Sequence, residues 1–372
     1  MRILYITDAL AVWGGIERVL RDKMNYLVEH YGYDVHIVTT DQGPHEIPFP
    51  LDERIHVHDL GIQFHHQYRH KGLKRIFTFF KLERLFRERL KAYIEEIKPD
   101  IIDCIRVEFV SAIVAVKGNI PLVCESHSMC KAPLYEKASF WYRFRLRLSM
   151  KKLGKVDCMV ALTQGDANDW KRYCHKVCVI PNVVHLNETG RYSKLDSKIA
   201  LFVGRFSEQK DFGTLIEIWK IVHQRHPDLE LHAYGEGAQR EFYEKLVREL
   251  DINISVFPPT SDIYDKYLES SMLLMTSRYE PFGLVIPEAM SCGLPVIAFD
   301  CPYGPKEIVN DGNNGILINP GDKILFAERV CQLIDDKQFR SKLGAGAAKS
   351  ISCYCAEQIM PRWKELFEEI AC

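Results

Sequence analysis

The sequence predicts an α/β protein with two doubly wound parallel-sheet domains, and three observations lead to this. The chain has 372 residues, which is more than one ordinary hydrophobic core supports. Short apolar runs alternate with helical patterns along the chain, which is typical of parallel sheets covered by helices. The alternation starts again after residue 185. The predicted domains are therefore 1–185 and 186–353, followed by a terminal segment, 354–372.

The first domain begins with a strand, and a pair of glycines separates it from a helix. Its predicted strands are 3–7, 35–39, 100–105, 122–125 and 158–162, and its predicted helices are 16–31, 73–97 and 138–153. Each strand is a short run of apolar residues bounded by polar or turn-forming residues. This order predicts βαβ units and hence a parallel sheet.

The second domain repeats the pattern. Its predicted strands are 199–204, 229–234, 272–275 and 296–299, and a helix is predicted at 212–225. The last predicted helix, 356–370, has no strand partner of its own. Its apolar side chains recur at helical spacing, so one face should be buried: they are Trp363, Leu366, Phe367 and Ile370.

Composition and charge exclude several classes of protein. A chain that is 47% hydrophobic and 27% charged, with a formal net charge of −1, resembles a globular enzyme and gives no case for bulk binding of nucleic acid. Residues 1–185 are basic, with 28 lysines and arginines against 22 acids, and the remainder has 21 against 28. The twelve cysteines are scattered, which favours free thiols in a reducing compartment. Without a signal peptide or an 18-residue apolar stretch, the chain is expected to be cytoplasmic.

The most informative segment is 280–296, which lies between two apolar runs that suit buried strands. Glu280 and Glu288 are eight residues apart in it. Pro281 and Gly283 interrupt the backbone after the first glutamate, so a helix is expected to start just beyond them. Unpaired amides at such a helix start attract phosphate. The amides expected to be unpaired are those of Gly283, Leu284 and Val285.

This string resembles the Glu-x7-Glu signature of the retaining glycosyltransferases of family 4, and the resemblance covers essentially the whole chain. It implies the GT-B fold, in which two Rossmann-like domains face a central cleft and the last helix crosses back to the first domain. It further implies that Glu280 binds hydroxyls of the donor sugar and that Glu288 binds the ribose diol. Phe282, Gly283 and Leu284 would line the donor beside them.

A loop with two cations, 204–211, follows the first strand of the second domain. Arg205 and Lys210 can converge on one polyanion from such a loop, although two solvated surface cations are the alternative. In family 4 a Gly-Arg pair and a later Lys-Gly pair hold the donor phosphates, which implies this role for Gly204, Arg205 and Lys210. Asp211 stands where the family has glycine.

Three further positions match the family. Gly14 and Gly15, between the first strand and helix, let a ligand approach the backbone; the resemblance places Gly14 beside the acceptor and Gly15 over the donor diphosphate. Gly235 belongs to a Gly-x-Gly turn that would line the nucleotide. His127 ends a strand at the ligand-binding edge and would contact the transferred sugar on the acceptor side, a surface or capping role being the alternative.

The resemblance implies a retaining transfer from a nucleotide-diphosphate sugar, with UDP the commonest donor nucleotide. The residues expected to act in catalysis are Glu280, Arg205, Lys210 and His127. No Asp-x-Asp sequence is present, so no metal and no cofactor are expected. A nucleotide-sugar 2-epimerase and a non-catalytic sugar-nucleotide-binding protein share the architecture and remain alternatives. A nicotinamide oxidoreductase would need a glycine fingerprint that is missing.

Two segments, 69–91 and 140–155, mix cations with aromatic residues and are called here the basic aromatic segments. Such helices bind anionic membrane surfaces, or else they pack on the sheet with a solvated basic face. The membrane interpretation predicts a peripheral enzyme on the inner face of the cell membrane. It also predicts a lipid-linked glycan as the acceptor.

Overall fold

The computed structural model describes residues 1–131, 140–187 and 189–371. The chain forms two compact units. The first unit is Met1–Val183 with Ile359–Cys372, and the second is Val184–Gln358.

The first unit is built on a seven-stranded sheet with the order β3-β2-β1-β4-β5-β6-β7. All neighbouring strands in it are parallel. The strands are β1 (Arg2–Thr7), β2 (Asp34–Thr39), β3 (His56–Asp59), β4 (Ile101–Cys104), β5 (Leu122–Ser126), β6 (Cys158–Ala161) and β7 (Val177–Val179). The described helices are α1 (Gly15–Tyr31), α2 (Gly72–Ile97), α3 (Val110–Val116), α4 (Phe140–Met150) and α5 (Gln164–Trp170).

The second unit has a six-stranded parallel sheet with the order β10-β9-β8-β11-β12-β13. Its strands are β8 (Ile199–Val203), β9 (Glu230–Tyr234), β10 (Ile254–Phe257), β11 (Met272–Met275), β12 (Val296–Phe299) and β13 (Gly315–Ile318). Its helices are α6 (Phe212–Arg225), α7 (Arg240–Leu250), α8 (Ile263–Glu269), α9 (Val285–Ser291), α10 (Gly304–Ile308), α11 (Lys323–Asp335) and α12 (Lys337–Ser350).

The last helix is α13 (Ala356–Ala371), and its residues from Ile359 onward belong to the first unit. Trp363, Leu366 and Phe367 are buried on its apolar face. The two parallel sheets and this helix confirm the predicted α/β architecture of two Rossmann-like domains.

Burial explains why the central strands form. β4 and β11 are buried at every position, as expected for parallel strands covered on both faces. Apolar helix stripes cover the sheets, with Phe86 and Leu90 of α2 and Phe212 and Trp219 of α6 essentially inaccessible to solvent. Each sheet therefore fixes the positions of the loops at the carboxyl ends of its strands.

Two further findings concern the described cysteines and helices. Each of the eleven cysteines in the described part of the chain is a free thiol. Among the same residues, none of the helices combines the length and apolarity that crossing a bilayer requires.

Candidate active site

In the second unit, the loop after β8 and the loop after β11 are held together by hydrogen bonds. The side-chain amide of Gln209 donates to the carbonyl of Tyr279 at 3.1 Å. The backbone N–H of Arg278 donates to the carbonyl of Gln209 at 2.8 Å. These bonds align the two loops that carry the predicted cations and the first predicted glutamate.

Lys210 and Glu280 meet where these loops join. The ammonium group of Lys210 donates to Oε1 of Glu280, and the hydroxyl of Ser277 donates to the same oxygen at 2.8 Å. Glu280 is only 3% exposed. Its backbone is also fixed, because the N–H groups of Tyr303 and Gly304 both donate to its carbonyl at 2.9 Å. The structure thus pairs two predicted site residues that are seventy positions apart.

Arg205 is placed differently from Lys210. It is exposed and has no hydrogen bond or ion pair with another described residue. Its guanidinium is therefore available to an anionic ligand.

The predicted glycines Gly204 and Gly235 lie at the ends of adjacent strands and approach each other closely. The N–H of Gly204 donates to the carbonyl of Tyr234 at 3.0 Å. A Cβ atom on Gly235 would lie 1.9 Å from the carbonyl oxygen of Gly204, which no side chain could tolerate. Glycine at position 235 is thus required by backbone contact, whether or not it lines a nucleotide.

Asp211, the departure from the family pattern, adopts a left-handed conformation with φ 49° and ψ 49°. Glycine is favoured there, and aspartate is among the few other residues that tolerate it. The Asp211 carboxylate accepts a hydrogen bond from Nε of Arg278 at 3.0 Å, and its carbonyl accepts one from the hydroxyl of Thr276 at 3.1 Å. The loop therefore keeps a left-handed turn at this position despite the substitution.

Glu288 lies within α9, which begins at Val285 with Leu284 at its N-cap position. The loop before it turns at Gly283, which has φ 87°. Glu288 is 2% exposed, and its Oε2 accepts a hydrogen bond from the hydroxyl of Tyr267 at 3.0 Å. The two glutamates thus bind different partners.

Phe282, between the two glutamates, is buried. Its ring packs edge-on against Tyr354 with the centroids 5.4 Å apart. The aromatic ring therefore anchors the loop in the core of the second unit.

In the first unit, the loop after β1 leads into α1, and Gly14 is the N-cap residue. The N–H of Gly14 donates to the carbonyl of Val12 at 2.9 Å. Gly15 is exposed, and the neighbouring Trp13 is 73% exposed, with its ring edge-on to Phe49 at 5.0 Å. The loop thus presents both backbone and an aromatic ring to solvent.

His127 follows β5 and belongs to a buried charged cluster. Its Nε2 lies 3.1 Å from Oε2 of Glu125. Lys23 of α1 donates to the other oxygen of Glu125 and lies 3.5 Å from Asp103. The ammonium of Lys23 also lies over the ring of Trp363 in α13, 3.8 Å from its centroid.

The protonation of this cluster follows from its contacts. Burial raises the pKa of Glu125, but Lys23 and His127 more than offset it and lower the pKa to about 2. Burial, together with the nearby Glu125, raises the pKa of Asp103 well above its usual value. Glu125 is therefore the anion that holds both Lys23 and His127.

The sequence analysis did not assign Glu125, Lys23 or Asp103 to the site. Two signals were present. Glu125 and His127 are two positions apart at the carboxyl end of β5, a spacing that in extended backbone puts side chains on the same face. Lys23 falls within the buried stripe of α1, next to Met24, where a lone lysine needs a partner.

His127 also lines a pocket of about 300 Å³ at the carboxyl ends of β4 and β5. Arg106 is held there by two hydrogen bonds to Asp8, at 2.9 and 2.7 Å. The pocket is lined by Ile105, Arg106, Val107, Glu108, His127, Ser128 and Tyr142. It offers charged, aromatic and hydroxyl groups to a polar ligand.

Each of the basic aromatic segments has a packed side and an exposed side. On the packed side, Phe79 is buried against Trp141, with ring centroids 5.4 Å apart. Arg145 pairs with Glu83 at 2.6 Å, and its side chain is only 11% exposed, so it is not a surface cation. The helix predicted from 138 begins, within the described residues, at Phe140.

On the other side, the same two helices expose large apolar residues among cations. Leu73 is 84% exposed, Phe77 74% and Phe140 71%. The exposed cations of these segments include Lys74, Lys81, Arg84, Arg87, Arg143, Arg147, Lys151 and Lys152. This surface is both basic and apolar.

Two protein-family models match adjacent parts of the chain. The family model described as Glycosyltransferase Family 4 matches residues 13–188, and the model described as Glycosyl transferases group 1 matches residues 188–350. Together they span nearly the whole chain.

Two full-length relatives are glycosyltransferases. An amylovoran biosynthesis glycosyltransferase, AmsD of Erwinia amylovora, is 27% identical over 98% of this chain and 99% of that protein. An α-1,4-N-acetyl-D-galactosaminyltransferase of Campylobacter jejuni, whose named substrate is an undecaprenol-diphosphate-linked glycan, is 24% identical over 100% of this chain and 99% of that protein.

A solved structure shares the fold. TarM of S. aureus, in complex with fondaparinux, α-GlcNAc-glycerol and UDP, superposes with a TM-score of 0.80 at 15% identity, over 98% of this chain and 99% of that one. The matched family models, the full-length relatives and the two Rossmann-like sheets lead to one assignment: the chain belongs to the glycosyl transferases group 1 family of GT-B glycosyltransferases.

Proposed function

We propose that this glycosyltransferase moves a hexose or N-acetylhexosamine from a UDP-sugar to a hydroxyl of a lipid-linked glycan, with retained anomeric configuration, in surface polysaccharide biosynthesis. The second unit binds the donor and the first binds the acceptor.

The observation that carries the proposal is the arrangement of Arg205, Lys210 and Glu280. Arg205 is an exposed guanidinium free of described partners, and Lys210 is held by Glu280 on the adjoining loop. In the transfer, negative charge develops on the departing diphosphate. The ammonium of Lys210, already held by Glu280, stabilises that charge with little reorganisation, and the guanidinium of Arg205 can donate hydrogen bonds to it. Because these cations neutralise the leaving group, transfer should also proceed in EDTA.

The assignment of UDP rests on the comparisons and on Glu288. TarM was crystallised with UDP. In this chain, Glu288 has the carboxylate chemistry needed to accept hydrogen bonds from a ribose diol, and Tyr267 orients it. A UDP-sugar is therefore the donor class that we infer.

The acceptor assignment rests on the pocket around His127. Arg106 and Tyr142 line that pocket, and Tyr142 lies on α4, which also exposes Phe140. The sugar of a lipid-linked glycan would occupy this pocket, and its anionic, apolar carrier would bind the basic aromatic segments. The named substrate of the Campylobacter relative has this chemistry.

The basic aromatic segments would hold the enzyme on the inner face of the cell membrane. Anionic headgroups attract the exposed cations, and side chains such as Phe77 and Phe140 can enter the interfacial region. This docking would bring the pocket close to acceptors that are anchored in the same membrane.

Retention by front-face substitution is the mechanism that we infer. Double displacement needs a carboxylate nucleophile with a second carboxyl nearby, as in retaining glycosidases. Here Glu280 is engaged by Lys210 and Ser277, whereas Glu288 is engaged by Tyr267. The two carboxylates are thus committed to different partners. In the front-face reaction the departing phosphate oxygen takes the proton of the acceptor hydroxyl, and the new glycosidic bond forms on the side that the phosphate leaves.

The test uses Arg205→Ala, because removing this exposed side chain leaves no buried partner behind. Turnover with a panel of UDP-sugars should fall by about a hundredfold or more, as for the loss of one group that stabilises developing charge, while Tm stays unchanged. Arg248→Ala is the matched control, since Arg248 is 77% exposed on α7, and it should keep full turnover. Normal turnover in Arg205→Ala would contradict the assignment of the diphosphate site, and NMR that shows the inverted product anomer would contradict retention.

A further inference from the structure

A second cluster of polar side chains lies on the first unit, at the edge formed by β2 and β3. Asp34 and His36 are two residues apart on β2, so their side chains leave the same face of the sheet. His56, the first residue of the edge strand β3, is the direct cross-strand partner of His36. The pairing register of β2 and β3 therefore brings the carboxylate of Asp34 close to the imidazoles of His36 and His56.

The distances between their ligand atoms suit a small metal ion. Oδ1 of Asp34 lies 3.1 Å from Nε2 of His36 and 3.8 Å from Nε2 of His56. In a tetrahedral zinc site with bonds of about 2.0 Å, neighbouring ligand atoms are about 3.3 Å apart. The three ligand atoms lie within 4.8 Å of one another, and the His56 side chain, 60% exposed, has room to adjust.

Groups around the cluster orient its ligands. The hydroxyl of Tyr93 lies 3.0 Å from Nδ1 of His36. When this hydroxyl accepts from Nδ1–H, the lone pair of Nε2 faces the cluster, which is the usual support for a metal-binding histidine. Arg2 donates to Oδ2 of Asp34 at 2.6 Å and leaves Oδ1 toward the imidazoles.

We propose that Asp34, His36 and His56 bind one divalent transition-metal ion, with Zn²⁺ as the preferred occupant. Two imidazoles and one carboxylate match the ligand preferences of zinc, whereas Mg²⁺ and Ca²⁺ prefer oxygen ligands alone. The fourth position faces solvent, because His56 and Asp34 are both partly exposed. Arg2 opposes the metal by charge, but its side chain is 41% exposed, so solvent screens this repulsion.

The bound ion would join the edge strand to the rest of the sheet. All four residues of β3 are exposed, so little burial holds this strand in place. A metal that bridges His36 and His56 would stabilise the β2–β3 pairing through its own binding free energy. This role does not depend on the proposed glycosyl transfer.

The experiment compares metal binding by the wild-type chain and by His56→Ala. Each protein is titrated with Zn²⁺ against a chromophoric chelator, and Tm is measured with and without Zn²⁺. The wild type should bind one equivalent more than the variant, or bind it at least tenfold more tightly, and only the wild type should gain Tm from this equivalent. Because His56 lies on the surface, the variant should fold normally.

The matched control is His232→Ala. His232 lies 2.8 Å from Glu230, two residues before it on β9, so this pair has the spacing of Asp34 and His36 but belongs to no described three-ligand group. This variant should bind Zn²⁺ as the wild type does. Equal stoichiometry and affinity in the wild type and His56→Ala, as would result from binding at thiols, would overturn the proposal, as would a loss of the same size in His232→Ala.

Discussion

Replacing Lys210 with methionine tests stability and catalysis together, because the ammonium of Lys210 pairs with Glu280 and, in the proposed function, stabilises the leaving diphosphate. The change keeps the length of the side chain and removes the cation. Glu280, 3% exposed, then keeps the hydroxyl of Ser277 as a donor but loses its ion-pair partner. A buried charge without a partner is costly, and Lys210→Met should therefore destabilise the second unit.

The magnitude follows from burial. Removing one partner of a buried ion pair costs about 3–5 kcal/mol. Because the side chain of Lys210 is 17% exposed, water can partly solvate the remaining carboxylate, so we expect the low end, about 3 kcal/mol. For a unit of roughly 150–250 residues this lowers Tm by about 6–12 °C. Loss of the charge that stabilises the leaving diphosphate should lower kcat by about a hundredfold or more.

The double variant Lys210→Met with Glu280→Gln separates the two effects. It removes both charges, and a neutral pair of similar volume should recover most of the lost stability, since replacing both partners is often near neutral. Activity should stay low, because the cation is still missing and the Glu280 carboxylate is removed as well. Tm by calorimetry and kcat with the UDP-sugar identified by the donor panel are the measurements.

Two results would refute this reasoning. If Lys210→Met unfolds at the wild-type temperature, the pair with Glu280 carries no stability. If the double variant regains activity along with stability, Lys210 serves only to neutralise Glu280 and has no part in the departure of the diphosphate.

Three further predictions follow from the described contacts. The chain should sediment with anionic liposomes at low salt and be released as the salt concentration rises, because salt screens charges beyond about 10 Å at 0.1 M. Phe77→Asp should weaken this binding. Equal sedimentation with neutral liposomes would contradict an electrostatic attraction to the membrane. Glu288→Gln should mainly raise the KM for the donor and Glu280→Gln mainly lower kcat, and the reverse split would exchange their roles. A hydrogen bond from the thiol of Cys158 lowers the pKa of Cys178 to about 6, so the rate of alkylation of Cys178 should level off by about pH 8. Burial raises the pKa of Cys353, so the rate of its alkylation should still be rising at pH 9. Peptide mapping by mass spectrometry compares the two rates.

The strands that the sequence predicted correctly are the inner ones. The four it missed, β3, β7, β10 and β13, are the edge strands of the two sheets. An inner parallel strand is covered on both faces, so its sequence is a continuous apolar run, as at Met272–Met275. Exposure explains why β3 was missed, since it consists of His-Val-His-Asp with every residue exposed. It does not explain β13, which is Gly-Ile-Leu-Ile and largely buried. Strand β3 pairs with β2 through backbone hydrogen bonds, which do not require an apolar pattern in the sequence.

The features of the candidate site also fall into those that the sequence could predict and those that it could not. Motifs confined to one loop could be located from their residue types, but partners that meet through the fold could not. The pairing of Lys210 with Glu280 depends on how the loops after β8 and β11 align, and the pairing of Glu125 with Lys23 depends on where α1 crosses the sheet. Residue spacing could not predict either pairing, because the partners are seventy and about a hundred positions apart in the sequence.

Asp211 shows how a departure from a family pattern can be explained by the backbone. A glycine in the family pattern can mark a small contact, a close ligand or a positive φ, and the sequence alone does not separate these. In this chain the position has φ 49°, a left-handed conformation that glycine adopts most readily. Aspartate adopts it at modest cost, and its carboxylate bonds to Arg278 on the loop that precedes Glu280. The substitution therefore preserves the turn that positions Lys210 and adds a side-chain link between the two loops of the candidate site.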